Sequence, residues 1–275
     1  MIMILFPEMT EQLDANEYLE HKYEISKYPA LSLPDEDAAV KWDIWLARPD
    51  TAPLTIRDIL SDGEAWLENT PAGRIPVIYT TSRENFLRTL QLLNPGASVR
   101  DVPGSVNAFT INSRSEDALG HRVILLNEAG YSGVSGKEMG MTEDEWIEKS
   151  MTLRLHHETC HYFSLRVLGG MKNHALDETA ADCAGQLAAL GTFSAALQKR
   201  FFGISEGNVL PGGRFSFYMK NLRDDAVREV IRAVETALSS LERYLARSPN
   251  MAAEPNRSLL ITKILGAGIR GCGDF

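Results

Sequence analysis

Cysteine is scarce in this chain: three residues in 275, Cys160, Cys183 and Cys272, set far apart. That excludes a disulfide framework and a cysteine-based zinc cluster, and it points to a reducing compartment. Long apolar runs are missing too. No stretch approaches the roughly 18 residues that a spanning helix requires, so no membrane partner or membrane-crossing segment is expected. The opening Met1–Phe6 is apolar but meets Pro7-Glu8 at once, without a basic leader or a cleavage site, so the expected location is cytoplasmic. Nor is there an excess of base: 28 Lys and Arg face 37 Asp and Glu, for a net charge of -9. The densest basic group, Arg223 to Arg232, is interleaved with Asp224, Asp225 and Glu229 as on a solvated helix face, which argues against a nucleic-acid partner. No internal repeat or low-complexity tract interrupts the chain. Its 44% hydrophobic content suffices to bury a sizeable core.

Read in order, the chain starts with a mixed, helix-compatible segment from Glu8 to Tyr28. A helix then opens after Pro34 and carries Trp42, Trp45 and Leu46 to a stop before Pro49. Thr55 to Leu67 reads as another helix with Thr55 as its N-cap; Trp42, Trp45 and Trp66 are expected in the core. Ile75–Thr80, Ala108–Asn112 and Arg122–Asn127 read as strands, and Ser82 caps a helix that runs to Leu93 and ends at Asn94-Pro95-Gly96. The polar stretch Ser113–Gly120 is a turn that leads to His121. Beyond a Gly-rich loop, Glu128–Gly140, the pattern is helical: Thr142–Leu168, a second helix from Asp177 to about Arg200, Asp224–Ala246 and Ser258–Leu265. Between these, Phe201–Gly213 reads as a loop leading to Arg214-Phe215-Ser216-Phe217-Tyr218. The expectation is an α+β protein. It has a mixed lobe of helices and a small mixed sheet over residues 1–140 and a mainly helical lobe over 141–275, or one continuous domain, with a site in the cleft between them.

The chemistry concentrates in the first of those C-terminal helices, at His157-Glu158-Thr159-Cys160-His161. Four residues make slightly more than one helical turn, so His157 and His161 project from one face and can share a cation, while Glu158 sits about 100° round the helix, beside it. Zn2+ suits two neutral imidazoles, and a catalytic site adds one more protein ligand and leaves a position open. Glu178 is the candidate third ligand. The Gly169-Gly170 break and the short return through Leu176 lead back along the first helix, and Glu178 and Asp182 then stand i, i+4 on the next one among small residues such as Ala180, Ala181 and Ala184. Asp182 would accept a hydrogen bond from the non-ligating nitrogen of His157.

H-E-x-x-H followed by E-x-x-x-D on the next helix resembles the gluzincin metallopeptidases, the thermolysin-like branch of the zincins. The resemblance spans about thirty residues and differs from the usual pattern in carrying Asp177 where such enzymes often have Asn. The metzincin variant is set aside, because it needs Gly at position 164 and His at 167 where this chain has Ser164 and Val167. The resemblance implies a zincin-like fold and hydrolysis of peptide bonds, with Glu158 as the base that activates water. It also implies a sheet whose edge strand pairs with an extended peptide or protein substrate. An oxyanion donor comes from outside the motif; among His174, Tyr131, Arg214 and Tyr218, the two preferred are Tyr218 and His174. His156 and Cys160 read as structural neighbours. Two other readings remain: a non-catalytic zincin-like protein that binds zinc or peptide, and a zinc hydrolase of small amides or esters.

Overall fold

The computed structural model describes residues 12–24, 33–114 and 122–275. The apolar opening, the two ends of the Glu8–Tyr28 segment (8–11 and 25–28), and residues 115–121 of the turn with His121 lie outside the described residues. The first part runs α1 (Ala15–Leu19), α2 (Leu33–Ala47), α3 (Leu54–Asp62), β1 (Glu64–Thr70), β2 (Gly73–Thr80), α4 (Arg83–Leu93), β3 (Ala108–Asn112) and β4 (Arg122–Asn127). Then follow α5 (Gly136–Met139), α6 (Glu143–Val167), α7 (Ala175–Leu190), α8 (Ala195–Phe202) and a short hairpin of β5 (Ile204–Ser205) and β6 (Asn208–Val209). A 3-10 turn at Arg214–Met219 leads to α9 (Val227–Arg247), α10 (Pro249–Ala252) and α11 (Arg257–Cys272). The protein is α+β, mostly helical with one small mixed sheet. No helix among the described residues is long and apolar enough to cross a membrane.

The main sheet has the order β1-β2-β4-β3. Its central β2–β4 pair is parallel and its outer pairs are antiparallel. A central strand is covered on both faces and therefore reads as an unbroken apolar run, as Val123-Ile124-Leu125-Leu126 does. The side chains still alternate. Ile78, Phe109, Ile111, Val123 and Leu125 pack with Trp42, Ile56 and Phe86 of α2, α3 and α4. Ile75, Val77, Ile124 and Leu126 face the other way, into the larger core with Tyr162, Leu176, Leu238 and Ile264 of the later helices. Trp42 and Trp45 are buried, in line with their core assignment.

Two elements differ most from the sequence expectation. The helix expected over Thr55–Leu67 ends at Asp62, and its second half is β1. Gly63 makes the switch: a Cβ there would lie 2.5 Å from the carbonyl oxygen of Tyr79, so only glycine lets the chain pass close enough to pair Glu64 with Tyr79. The helix expected to reach Arg200 breaks at Gly191, whose φ of 76° caps α7 in the left-handed region before Ser194 starts α8.

Helix α6 begins at a capping box between Thr142 and Glu145, with three acidic residues in its first turn. Helix α7 returns antiparallel along it, as three meetings show: His161 with Glu178, His157 with Asp182, and Leu153 with Gly185. At the last of these a Cβ on Gly185 would stand 2.7 Å from the Leu153 carbonyl oxygen and 3.0 Å from Leu153 Cδ2. Gly185→Ala gains about 1 kcal/mol of helix propensity but forces two packed backbones apart, at a cost of about 1–3 kcal/mol. Urea unfolding should therefore show a net loss of stability; an equally stable variant would disprove the close approach.

Candidate metal centre

Helices α6 and α7 bring His157, His161 and Glu178 together, all buried. The two imidazole Nε2 atoms lie 3.0 Å apart. Glu178 Oε2 is 3.6 Å from His157 Nε2 and Glu178 Oε1 is 3.5 Å from His161 Nε2. Zinc–ligand bonds of about 2.0–2.2 Å in a tetrahedral shell separate ligand atoms by roughly 3.4 Å, so the spacing fits that ion. The electrostatics fit as well. Burial pushes the His161 imidazole down, yet the hydrogen bond and charge of Glu178 outweigh it and hold it above the usual histidine range. Burial likewise pushes Glu178 up, but the two histidines keep its carboxyl well below the usual range. The pocket between these groups stabilises positive charge. His161 Nδ1 is buried without a partner among the described residues, so one imidazole of the pair has no second support there.

His157 is supported. Its Nδ1 lies 2.7 Å from Asp182 Oδ1, and an ionised carboxylate can only accept; the proton therefore sits on Nδ1 and the Nε2 lone pair faces the site. Asp182 itself is fully buried and gathers four donors. Tyr131 Oη donates to Oδ1 at 2.5 Å beside the imidazole, Gln198 Nε2 donates to Oδ2 at 2.5 Å, and the Arg214 guanidinium donates to Oδ2. Burial pushes this carboxyl up, but the Arg214 charge leads the groups that keep it ionised.

Glu158 stands off the ligand triangle. Its Oε2 accepts from Thr110 Oγ1 of β3 at 2.8 Å, and the same hydroxyl lies 3.0 Å from the Glu158 carbonyl oxygen. A half-open cleft borders this carboxylate, lined also by Asn107, Ala108, Arg154, His157, Glu178 and Tyr218. Tyr218 Oη donates to Glu178 Oε2 at 2.9 Å, and burial keeps its phenol protonated.

Other sequence candidates fall elsewhere. His174 is not at the cleft: it caps α7, with Nδ1 accepting from Leu176 N at 3.0 Å and Nε2 donating to the Tyr18 carbonyl oxygen at 3.0 Å. Both ring nitrogens are used, so it has no donor left for a substrate. A further grouping of His21, His174 and Asp177 has the same defect, since His174 has no lone pair to give. Tyr131 and Arg214 line the cleft but act on Asp182. Cys160 is buried, and burial pushes its thiol well up. The sequence reading missed Thr110, Gln198 and Arg154; of these only Arg154, three residues before His157 and four before Glu158, carried a helical-spacing signal.

Residues 113–267, more than half of the chain, match a family described as Family of unknown function (DUF7005). The chain belongs to that family. The matched stretch contains every residue of the ligand triangle and its supports, from Tyr131 to Tyr218, but not Thr110 or the cleft residues before it. No curated protein and no solved structure matches the chain.

Proposed function

We propose that this protein is a zinc-dependent hydrolase of peptide bonds. The reading is carried by one observation: a buried His157–His161–Glu178 triangle opens on the same cleft as Glu158, which pairs with no cation among the described residues. His157, His161 and Glu178 would hold the ion, and bound zinc would polarise a substrate carbonyl and acidify a water. Glu158, held in the cleft by Thr110, takes a proton from the attacking water and hands it to the leaving amine. Asp182 keeps the His157 tautomer fixed, and Arg214, Tyr131 and Gln198 keep Asp182 charged and oriented. Tyr218, whose hydroxyl donates to Glu178 Oε2, would turn that single proton to the oxygen that gains negative charge once zinc engages the carboxylate.

The sheet supports a peptide as substrate. β3 is an edge strand among the described residues; Ala108 at its start lines the cleft and Thr110 holds Glu158. An extended peptide pairing along that edge would carry a backbone amide past the carboxylate.

The test is turnover of a mixed peptide library by protein loaded with zinc, stripped by chelator and reloaded. Cleavage should vanish on stripping and return on reloading; cleavage that survives chelation, or a bound metal with no cleavage, contradicts the proposal. Within it, Tyr218→Phe should lower kcat by about 10²-fold or more with zinc retained. An unchanged kcat would remove Tyr218 from the chemistry.

A further inference from the structure

Resting on the hydrolase reading, we infer that the cleft recognises a carboxylate just beyond the scissile bond, and that Arg154 is the side chain that binds it. Arg154 lines the cleft yet is only 2% exposed. Its Nη1 donates to the Ala129 carbonyl oxygen at 2.6 Å and its Nη2 to that of Gly130 at 2.9 Å. A guanidinium has five N–H donors, so these two bonds leave donors over. No carboxylate among the described residues lies within ion-pair distance. Its neighbours answer that distance with a ring: the guanidinium carbon sits 5.6 Å from the Tyr131 ring centroid.

The contrast with Arg214 is direct. Arg214 stands 5.4 Å from the same ring, but its charge is met by the buried Asp182. Arg154 has neutral acceptors only, and burial pushes it down to about 10 despite the more distant charge of Glu158. A desolvated guanidinium without a counter-ion is a ready site for a planar, two-oxygen anion.

Charge and spacing agree. With a divalent ion in the triangle, the positive charges of the ion, Arg154 and Arg214 exceed by one the negative charges of Glu158, Glu178 and Asp182. The cleft is thus cationic in a chain whose net charge is -9. Arg154 precedes Glu158 by four helical residues, about 6 Å along the axis, against about 3.3–3.6 Å per extended residue. The offset matches a carboxylate one or two residues past the bond presented to Glu158. A peptide's own C-terminus and an acidic side chain at that position both supply this group.

Three peptides decide the matter: acetyl-Ala-Ala-Ala with a free carboxylate, the same peptide as its amide, and acetyl-Ala-Ala-Asp amide. Binding is read by calorimetry on zinc-loaded Glu158→Gln protein, and turnover on the wild type. The free acid, the Asp amide or both should bind at least tenfold tighter than the neutral amide, and which of them does so names the source of the carboxylate. Adding Arg154→Gln should bring that ratio to within twofold of one. A ratio near one with Arg154 present, or a ratio unmoved by its replacement, overturns the inference. Should the Arg154 variant fail to fold, chelated Glu158→Gln protein gives a second reading: acid preference that persists without zinc supports Arg154, and preference that vanishes assigns the carboxylate to the metal and overturns it. Failure of the underlying reading looks different, because the wild type would then cleave none of the three peptides while the binding ratio still reported on Arg154.

Discussion

Glu158→Gln is expected to cut peptide turnover by about 10²- to 10⁴-fold, the range for removing a general base, with zinc content and folding unchanged. The physical grounds are specific. Glutamine is nearly isosteric, and its amide oxygen can still accept from Thr110 Oγ1, which now donates to Glu158 Oε2 at 2.8 Å. The buried position is therefore refilled without a cavity and without an orphaned hydroxyl. What disappears is the basicity of a carboxylate that makes no ion pair among the described residues. Normal turnover would refute the assignment of Glu158 as the base. Loss of zinc together with activity would instead make Glu158 part of the metal's own support.

Glu178→Ala acts on the other half of the site. It should reduce bound zinc from about one equivalent to near none and abolish turnover with it. The metal-free protein should also lose about 3–5 kcal/mol of stability, the range for removing one member of a buried charged pair. Glu178 is the counter-charge of His161, stands 3.6 Å from His157 Nε2 and accepts the Tyr218 hydroxyl at 2.9 Å, so its removal disturbs three buried polar groups. Glu178→Gln separates the two effects. The amide can still accept from Tyr218 but brings no charge, so folding should largely survive while zinc is lost. Elemental analysis with urea unfolding of both variants checks this; full zinc occupancy in the alanine variant would remove Glu178 from the ligand set.

The parts of this arrangement legible in the sequence are those encoded by local periodicity. His157, Glu158 and His161 share one helix, so their relative directions follow from 3.6 residues per turn. Helix α6 was readable for the same reason. Glu178 and Asp182 followed from a second helix lined with small residues, and the β3 and β4 strands from apolar runs between turn residues. What was not legible depends on meetings between distant segments. β1 exists because Gly63 lets Glu64 pair with Tyr79, a contact invisible in a stretch that otherwise continues a helix. Thr110 reaches Glu158 only once β3 lies beneath α6. Arg214 and Gln198 converge on Asp182 from elements that propensity cannot orient. His174 attracted notice as a polar residue near glycines, but its use of both nitrogens at the start of α7 appears only when Tyr18 is packed against it.

The most direct test is an X-ray fluorescence scan at the zinc edge on crystals of the protein, followed by an anomalous difference map. The account predicts a single strong peak in contact with His157 Nε2, His161 Nε2 and the Glu178 carboxylate, facing the cleft that Glu158 borders. No zinc signal after loading, or a peak held by other side chains with this triangle empty, would contradict it.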